Sequence, residues 1–236
     1  MRTLMLAALS LIGFPLSAQA APLARPPIVL ELFTSQGCSS CPPADALLQR
    51  LAGEGGVLVL SRPVTYWDDL GWKDTLALPE NTSKQRAYQA NLGGRPGVYT
   101  PQLVIDGRWG GVGSDERAIR SAMRAAQAKP PLANIQAARL PGGKLSVTVA
   151  GGAGADVVLI GYAPSAEVAI GRGENGGTRV VYTNVVRGEA RLGKAAAEAK
   201  TFEADLARLS AKGATRFAIL VQQGVAGAIL GAADLG

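Results

Sequence analysis

A chain of 236 residues that is 47% hydrophobic and 18% charged holds enough apolar material for one or two packed domains, and its composition excludes a disordered protein. Its formal net charge of +6 is spread without basic blocks or aromatic–basic alternation, which argues against a nucleic-acid-binding stripe. There is no histidine, so a Ser-His-Asp triad, an imidazole general base and a His-ligated metal are all excluded.

Residues 1–20 carry a single positive charge, an apolar run and a small-x-small ending at Ala18-Gln19-Ala20. That pattern predicts a secretory signal peptide cleaved after Ala20, and therefore a periplasmic or secreted protein. The apolar run is short of the roughly 20 residues that a span requires, so no membrane span is expected in the mature protein. From residue 27 the chain alternates. The apolar, β-branched stretch 28–33 reads as a buried strand. In the next segment Ala44, Leu47, Leu48 and Leu51 line one helical face, and Gly53 ends it. A second buried strand covers 57–61, followed by an irregular connection bearing Tyr66, Trp67 and Trp72. A helix is predicted over 80–92, a hairpin around Asp106-Gly107, and a helix opening at Ser114 with an apolar stripe of Ile119, Ala122, Met123 and Ala126.

The resulting order is β-α-β-α-β-β-α over 27–130, an α/β domain with a parallel core and an antiparallel edge. The stretch 129–134 looks like a linker. Beyond it, residues 134–236 are short β-rich runs separated by glycine-rich turns, which predicts a small, mostly antiparallel β-sandwich-like second domain.

Cys38 and Cys41 are the only cysteines, and they follow a buried strand at the mouth of a helix. In an oxidising compartment such a pair forms disulfides. A helix N-terminus offers free amides and partial positive charge, so Cys38 is the expected low-pKa nucleophile and Cys41, one turn inside, the resolving thiol. Ser39 and Ser40 add hydroxyls but no cation, leaving thiolate stabilisation to the helix terminus. Glu31, alone in its strand as a charge, is a proton relay to Cys41 or else a salt-bridged or edge residue. Tyr66, Trp67 and Trp72 offer an apolar rim for a partner, or plug the end of a core. The run GRGENGG reads as a hairpin turn, since no Gly-Lys-Ser/Thr follows it. No metal site and no cofactor are expected: zinc lacks two further ligands, and soft partners for Cu(I) are scarce with methionine only at Met1, Met5 and Met123.

The stretches ELFTSQGCSSCPPAD, TYWDDLGWKD, YTPQLVIDGR, GSDE and GRGENGG…YTNVVR resemble a secreted thioredoxin-like family catalogued as domain of unknown function 1223. The resemblance implies a thioredoxin-like fold in which Thr100-Pro101, with a cis peptide, faces the cysteine pair and helps hold a partner chain. It brings no established substrate. Where a HVDYWD-like run is expected from that family, this chain has PVTYWD, so Pro63 and Thr65 replace a His and an Asp. The leading expectation is thiol–disulfide exchange with exported protein thiols or disulfides, or with a small thiol. The alternative is a non-catalytic module that binds a partner protein or Cu(I) and keeps Cys38–Cys41 as a structural disulfide.

Overall fold

A computed structural model describes residues 25–93 and 96–236; the expected signal peptide lies outside the described residues. Its first half follows the predicted order. Strand β1 (Ile28–Thr34) is buried along its whole length. Helix α1 (Pro42–Ala52) begins on two prolines, whose missing N–H groups cost nothing in a first turn, and ends at Gly53. Strand β2 (Val57–Pro63) pairs parallel to β1, and helix α2 (Pro79–Leu92) follows. Strands β3 (Gln102–Ile105) and β4 (Trp109–Val112) form an antiparallel hairpin whose turn residues Asp106 and Gly107 have φ of 47° and 61°. A side chain on Gly107 would place its Cβ 2.1 Å from the Gly227 carbonyl oxygen, so glycine is required there on two counts. Helix α3 (Glu116–Gln127) is capped by Asp115, which accepts from the Ala118 N–H at 3.0 Å, rather than by the expected Ser114.

The second half consists of β5 (Ala133–Leu140), β6 (Lys144–Gly151), β7 (Asp156–Ala169), β8 (Arg179–Lys194), β9 (Lys200–Asp205), the short helix α4 (Ala207–Ser210), β10 (Arg216–Gln222) and β11 (Ile229–Asp234). Here the structure departs from the expected separate sandwich. Strands β7, β8, β10 and β11 join the first half in one eight-stranded sheet of order β11-β10-β7-β8-β2-β1-β3-β4. The seam is a single parallel pair, Ser61 with Val185. Only β5, β6 and β9 form their own three-stranded antiparallel sheet. Short alternating runs identify strands, but an exposed β2 edge is a non-local acceptor that no local pattern announces.

Three packed layers follow. Leu30 and Leu32 of β1 bury against Leu47, Leu48 and Leu51 of α1 and Ile119 and Met123 of α3. The opposite face of the sheet holds Val29, Leu58 and Leu60 together with Ile160, Val186 and Leu220, and Phe33 packs against Tyr88 of α2. The small sheet covers the second half, with Leu145, Val147, Val149 and Phe202 closing on Val157, Leu159, Ile219 and Val221. Among the described residues no helix is long and apolar enough to cross a membrane.

Candidate functional site

The turn between β1 and α1 carries both cysteines. The Cys38 N–H donates to the Ser35 carbonyl at 3.2 Å and the Cys41 N–H to the Cys38 carbonyl at 3.1 Å, folding the four residues into successive turns. Cys41 is the N-cap of α1, not one turn inside it as expected, and Cys38 lies three residues ahead of it. Both are free thiols, and both are fully buried.

The physical basis of the thiolate also differs from the expectation. Pro42 and Pro43 occupy the first helical positions and carry no N–H, which removes donors that a helix N-terminus would aim at sulfur. The Cys38 pKa is nonetheless lowered to about 6, foremost by a hydrogen bond from the Cys41 thiol; burial opposes this, and the Ser40 hydroxyl, Thr100 hydroxyl and Ser40 N–H assist it. The Ser40 Oγ lies 3.3 Å from the Cys38 Sγ. Cys41 is pushed far up, first by burial, then by its bond to Cys38 and the charges of Cys38 and Asp45. The pair is therefore strongly asymmetric.

The Thr100–Pro101 peptide is cis and lies beside the pair. Trp67 Nε1 donates to Thr100 Oγ1 at 2.9 Å, which leaves the threonine's own proton free for the sulfurs. Ser40 Oγ donates to the Thr100 carbonyl at 3.5 Å. Tyr66 and Trp67 are half-buried against the Phe33–Tyr88 cluster, and Trp72, also half-buried, donates from Nε1 to Gln36 Oε1 at 2.8 Å. These aromatics form a wall of the site.

One carboxyl near the thiols was not singled out by the sequence reading. Asp45, one helical turn after Cys41, is buried, and neither of its oxygens has a hydrogen-bond partner; the buried Thr34 hydroxyl is likewise unpartnered. Burial holds the Asp45 pKa well above the usual carboxylate range, against a nearby Thr34 hydroxyl and with reinforcement from Cys38 and Asp74. The i, i+4 spacing from Cys41 was the signal available.

Glu31, by contrast, points away. Successive strand residues face opposite sides, and Leu30 and Leu32 hold the α1 side. Glu31 instead accepts from Arg62 Nε at 2.6 Å and from the Tyr88 hydroxyl. Arg62, fully buried, also donates to Asn81 Oδ1 at 3.2 Å and Glu189 Oε1 at 2.5 Å. Of the two readings of Glu31, the structure places it in the salt bridge. Pro63 and Thr65 meet α2: Asn81 Nδ2 donates to the Pro63 carbonyl at 3.0 Å, and the Thr65 N–H to Thr82 Oγ1 at 2.9 Å. Among the described residues no group of three acidic or cysteine side chains is gathered to hold a metal ion.

The tip of the β7–β8 hairpin reaches the same turn. Asn175 Nδ2 donates to the Gln36 and Cys38 carbonyls, both at 2.9 Å, and Glu174 Oε2 accepts from the Ser39 N–H at 3.2 Å.

Taken together, the chain is a mixed α/β protein whose dithiol turn precedes a helix and abuts a cis-proline loop. It belongs to the family described as proteins of unknown function (DUF1223), which it matches over residues 29–222. It is similar to the crystal structure of protein AGR_C_4864 from Agrobacterium tumefaciens, with 34% identity, a TM-score of 0.75, and coverage of 88% of this chain and 93% of that one. HBP35 of Porphyromonas gingivalis shares the fold at 16% identity and a TM-score of 0.54, over 89% of this chain and 74% of that one. Comparison with curated proteins finds no match.

Proposed function

We propose that this protein is an exported, thioredoxin-like thiol–disulfide exchange protein that works through Cys38 and Cys41. The observation that carries the reading is the asymmetry of the pair: donors converge on Cys38, while Cys41 is buried beside the unpartnered Asp45. The strand order β2-β1-β3-β4 with β3 antiparallel to β1, and the cis-proline beside the pair, support the thioredoxin-like reading. The signal-peptide pattern of residues 1–20 supports export.

In the proposed reaction the Cys38 thiolate attacks a substrate disulfide R–S–S–R′, forming the Cys38–S–S–R bond and releasing R′S⁻. Cys41 then loses its proton, with Asp45 placed one turn away as acceptor, and its thiolate attacks the Cys38 sulfur. RS⁻ leaves, the protein disulfide forms, and two electrons have passed to the substrate. The reverse sequence oxidises a dithiol. Equilibration of the mature protein in glutathione or dithiothreitol buffers, with thiol trapping, tests this. A reversible midpoint between about −120 and −270 mV, with Cys41→Ser capturing mixed disulfides, is the expected result. The complete burial of Cys38 favours a second reading, a binding module with a closed Cys38–Cys41 bond. A midpoint well below about −300 mV with nothing captured decides for that module.

A further inference from the structure

A nucleophilic sulfur normally needs a partly open position, yet Cys38 has no exposed surface. Part of what encloses the turn that carries it comes from the far half of the chain. Asn175, itself only 8% exposed, spends both Nδ2 protons on the carbonyls of Gln36 and Cys38, at 2.9 Å each. Next to it, Glu174 accepts from the Ser39 N–H. The tip that carries them is braced internally, with the Gly176 N–H on the Gly173 carbonyl at 3.0 Å and Thr178 Oγ1 on the Asn175 carbonyl at 2.6 Å. Its glycines press on Trp72: Cβ atoms on Gly171 and Gly173 would come within 3.0 and 3.2 Å of that side chain. On the other flank, Trp67 holds the Thr100 hydroxyl and Ser40 reaches the Thr100 carbonyl, so the ledge beside Pro101 is already in use.

The geometry points to a roof whose movable part is the 171–177 hairpin tip. We propose that Glu174 and Asn175 determine specificity: the site exchanges with low-molecular-weight thiols and disulfides and excludes folded protein disulfides. This substrate class rests on the exchange reading. The last ladder pair of the hairpin is Ala169 with Arg179, and beyond it the tip is tied back only through Ile170, whose N–H donates to the Thr178 carbonyl at 2.9 Å and whose carbonyl accepts from the Gly177 N–H at 2.8 Å, so the tip lifts as a unit about Ile170. Three hydrogen bonds and the Trp72 contact then set how often it does.

The test uses the reduced full-length mature protein, its Asn175→Ala variant and its Glu174→Ala variant. Iodoacetamide labelling of Cys38 and Cys41 is followed by peptide mapping, and the exchange rate is measured with 2-hydroxyethyl disulfide and with insulin. Loss of the two Asn175 bonds, each with a typical net contribution, raises the open fraction about 30-fold, and labelling of Cys38 rises with it. Glu174→Ala, which removes one bond, gives a smaller rise. Wild type exchanges with 2-hydroxyethyl disulfide and not with insulin, and Asn175→Ala gains the insulin reaction. Equal reactivity of wild type towards both disulfides overturns the substrate class. Labelling of Cys38 that is unchanged in both variants, or that rises only in step with Cys41, overturns the roof whatever the exchange rates show. Labelling needs no disulfide partner, so a wild type that exchanges with neither disulfide overturns the exchange reading itself.

Discussion

The asymmetry of the two thiols makes a quantitative prediction about pH. Cys38 ionises at about 6 instead of near 9, whereas Cys41 is pushed up and stays protonated through neutral pH. Below pH 6 the reduced pair holds two protons, and oxidation releases both. Between pH 6 and 8 it holds one. A tenfold change in the equilibrium is worth about 30 mV for a two-electron couple, so the midpoint falls by about 59 mV per pH unit below 6 and by about 30 mV above it. The sign agrees with linkage to folding: the folded pKa lies below the unfolded one, so the thiolate's stabilisation of the reduced protein is complete above about pH 9 and is lost as pH falls through 6. At pH 7 the elevenfold difference in ionisation is about 1.4 kcal/mol, which raises the midpoint by about 30 mV relative to an ordinary dithiol. Ser40→Ala removes the contact at 3.3 Å and moves the break upward by about one pH unit at most, since Ser40 is largely exposed. Dithiothreitol-buffered equilibria from pH 5 to 8, read by thiol trapping, give both slopes. A single 59 mV slope across that range refutes the reasoning, because it means that both thiols are protonated throughout.

Three further predictions follow from the buried polar groups and the tight packing. Asp45 has its folded pKa raised, so wild-type stability is lost as pH rises through that pKa; Asp45→Asn removes the loss and is expected to be more stable in urea at pH 8, by about 1–3 kcal/mol, with no difference near pH 4. The same variant lengthens the life of the Cys38 mixed disulfide if Asp45 takes the Cys41 proton, which trapping on a time course measures. Arg62→Met leaves Glu31 and Glu189 without their guanidinium and destabilises by about 3–5 kcal/mol in urea titration. It leaves the Cys38 labelling midpoint unchanged, and a shift in that midpoint reinstates Glu31 as a proton partner of the thiols. Gly113→Ala would bring a Cβ within 2.6 Å of Leu32 Cδ1 and 3.1 Å of Pro101 Cβ, so it is expected to lower stability by about 1–3 kcal/mol, measured as a reduced thermal midpoint.

What the sequence made legible was what is local. The apolar run of β1, the i, i+3, i+4, i+7 stripe of α1 and the Asp-Gly hairpin each depend on residues a few positions apart, and each is where the pattern placed it; the cysteine pair follows the strand as read but ends at the helix N-cap. Strand β5 starts inside the stretch 129–134 that reads as a linker, and its remaining residues are mostly exposed and show no clean alternation to mark a strand. Glu31 was visible as a lone charge, but its partner Arg62 was hidden inside a segment read as irregular, 31 positions away. Asp45 was overlooked because a first-turn acid on a helix has an ordinary explanation in the helix dipole; only its burial makes it unusual.

The largest gap is the dependence of the site on the second half of the chain. Asn175 bonds the Cys38 carbonyl across 137 positions, and the run that carries it was correctly read as a hairpin turn without any hint of where it lands. Its landing place is set by the seam. Below Val185, the one residue of β8 that pairs with β2, the strand turns at Asn184, which has φ 49° and donates to the Val59 carbonyl at 3.0 Å. From there Tyr182 is buried within the field of Asp45, Asp74 and both cysteines, and the tip closes over the turn. The parallel pair and the left-handed asparagine set the course of the hairpin, and Asn175 and Glu174 bring this half onto the thiol turn, so it is part of the site and not an appendage to it. Its contribution to the site is positional: Asn175 fixes the Gln36 and Cys38 carbonyls of the dithiol turn, and Glu174 holds the Ser39 N–H.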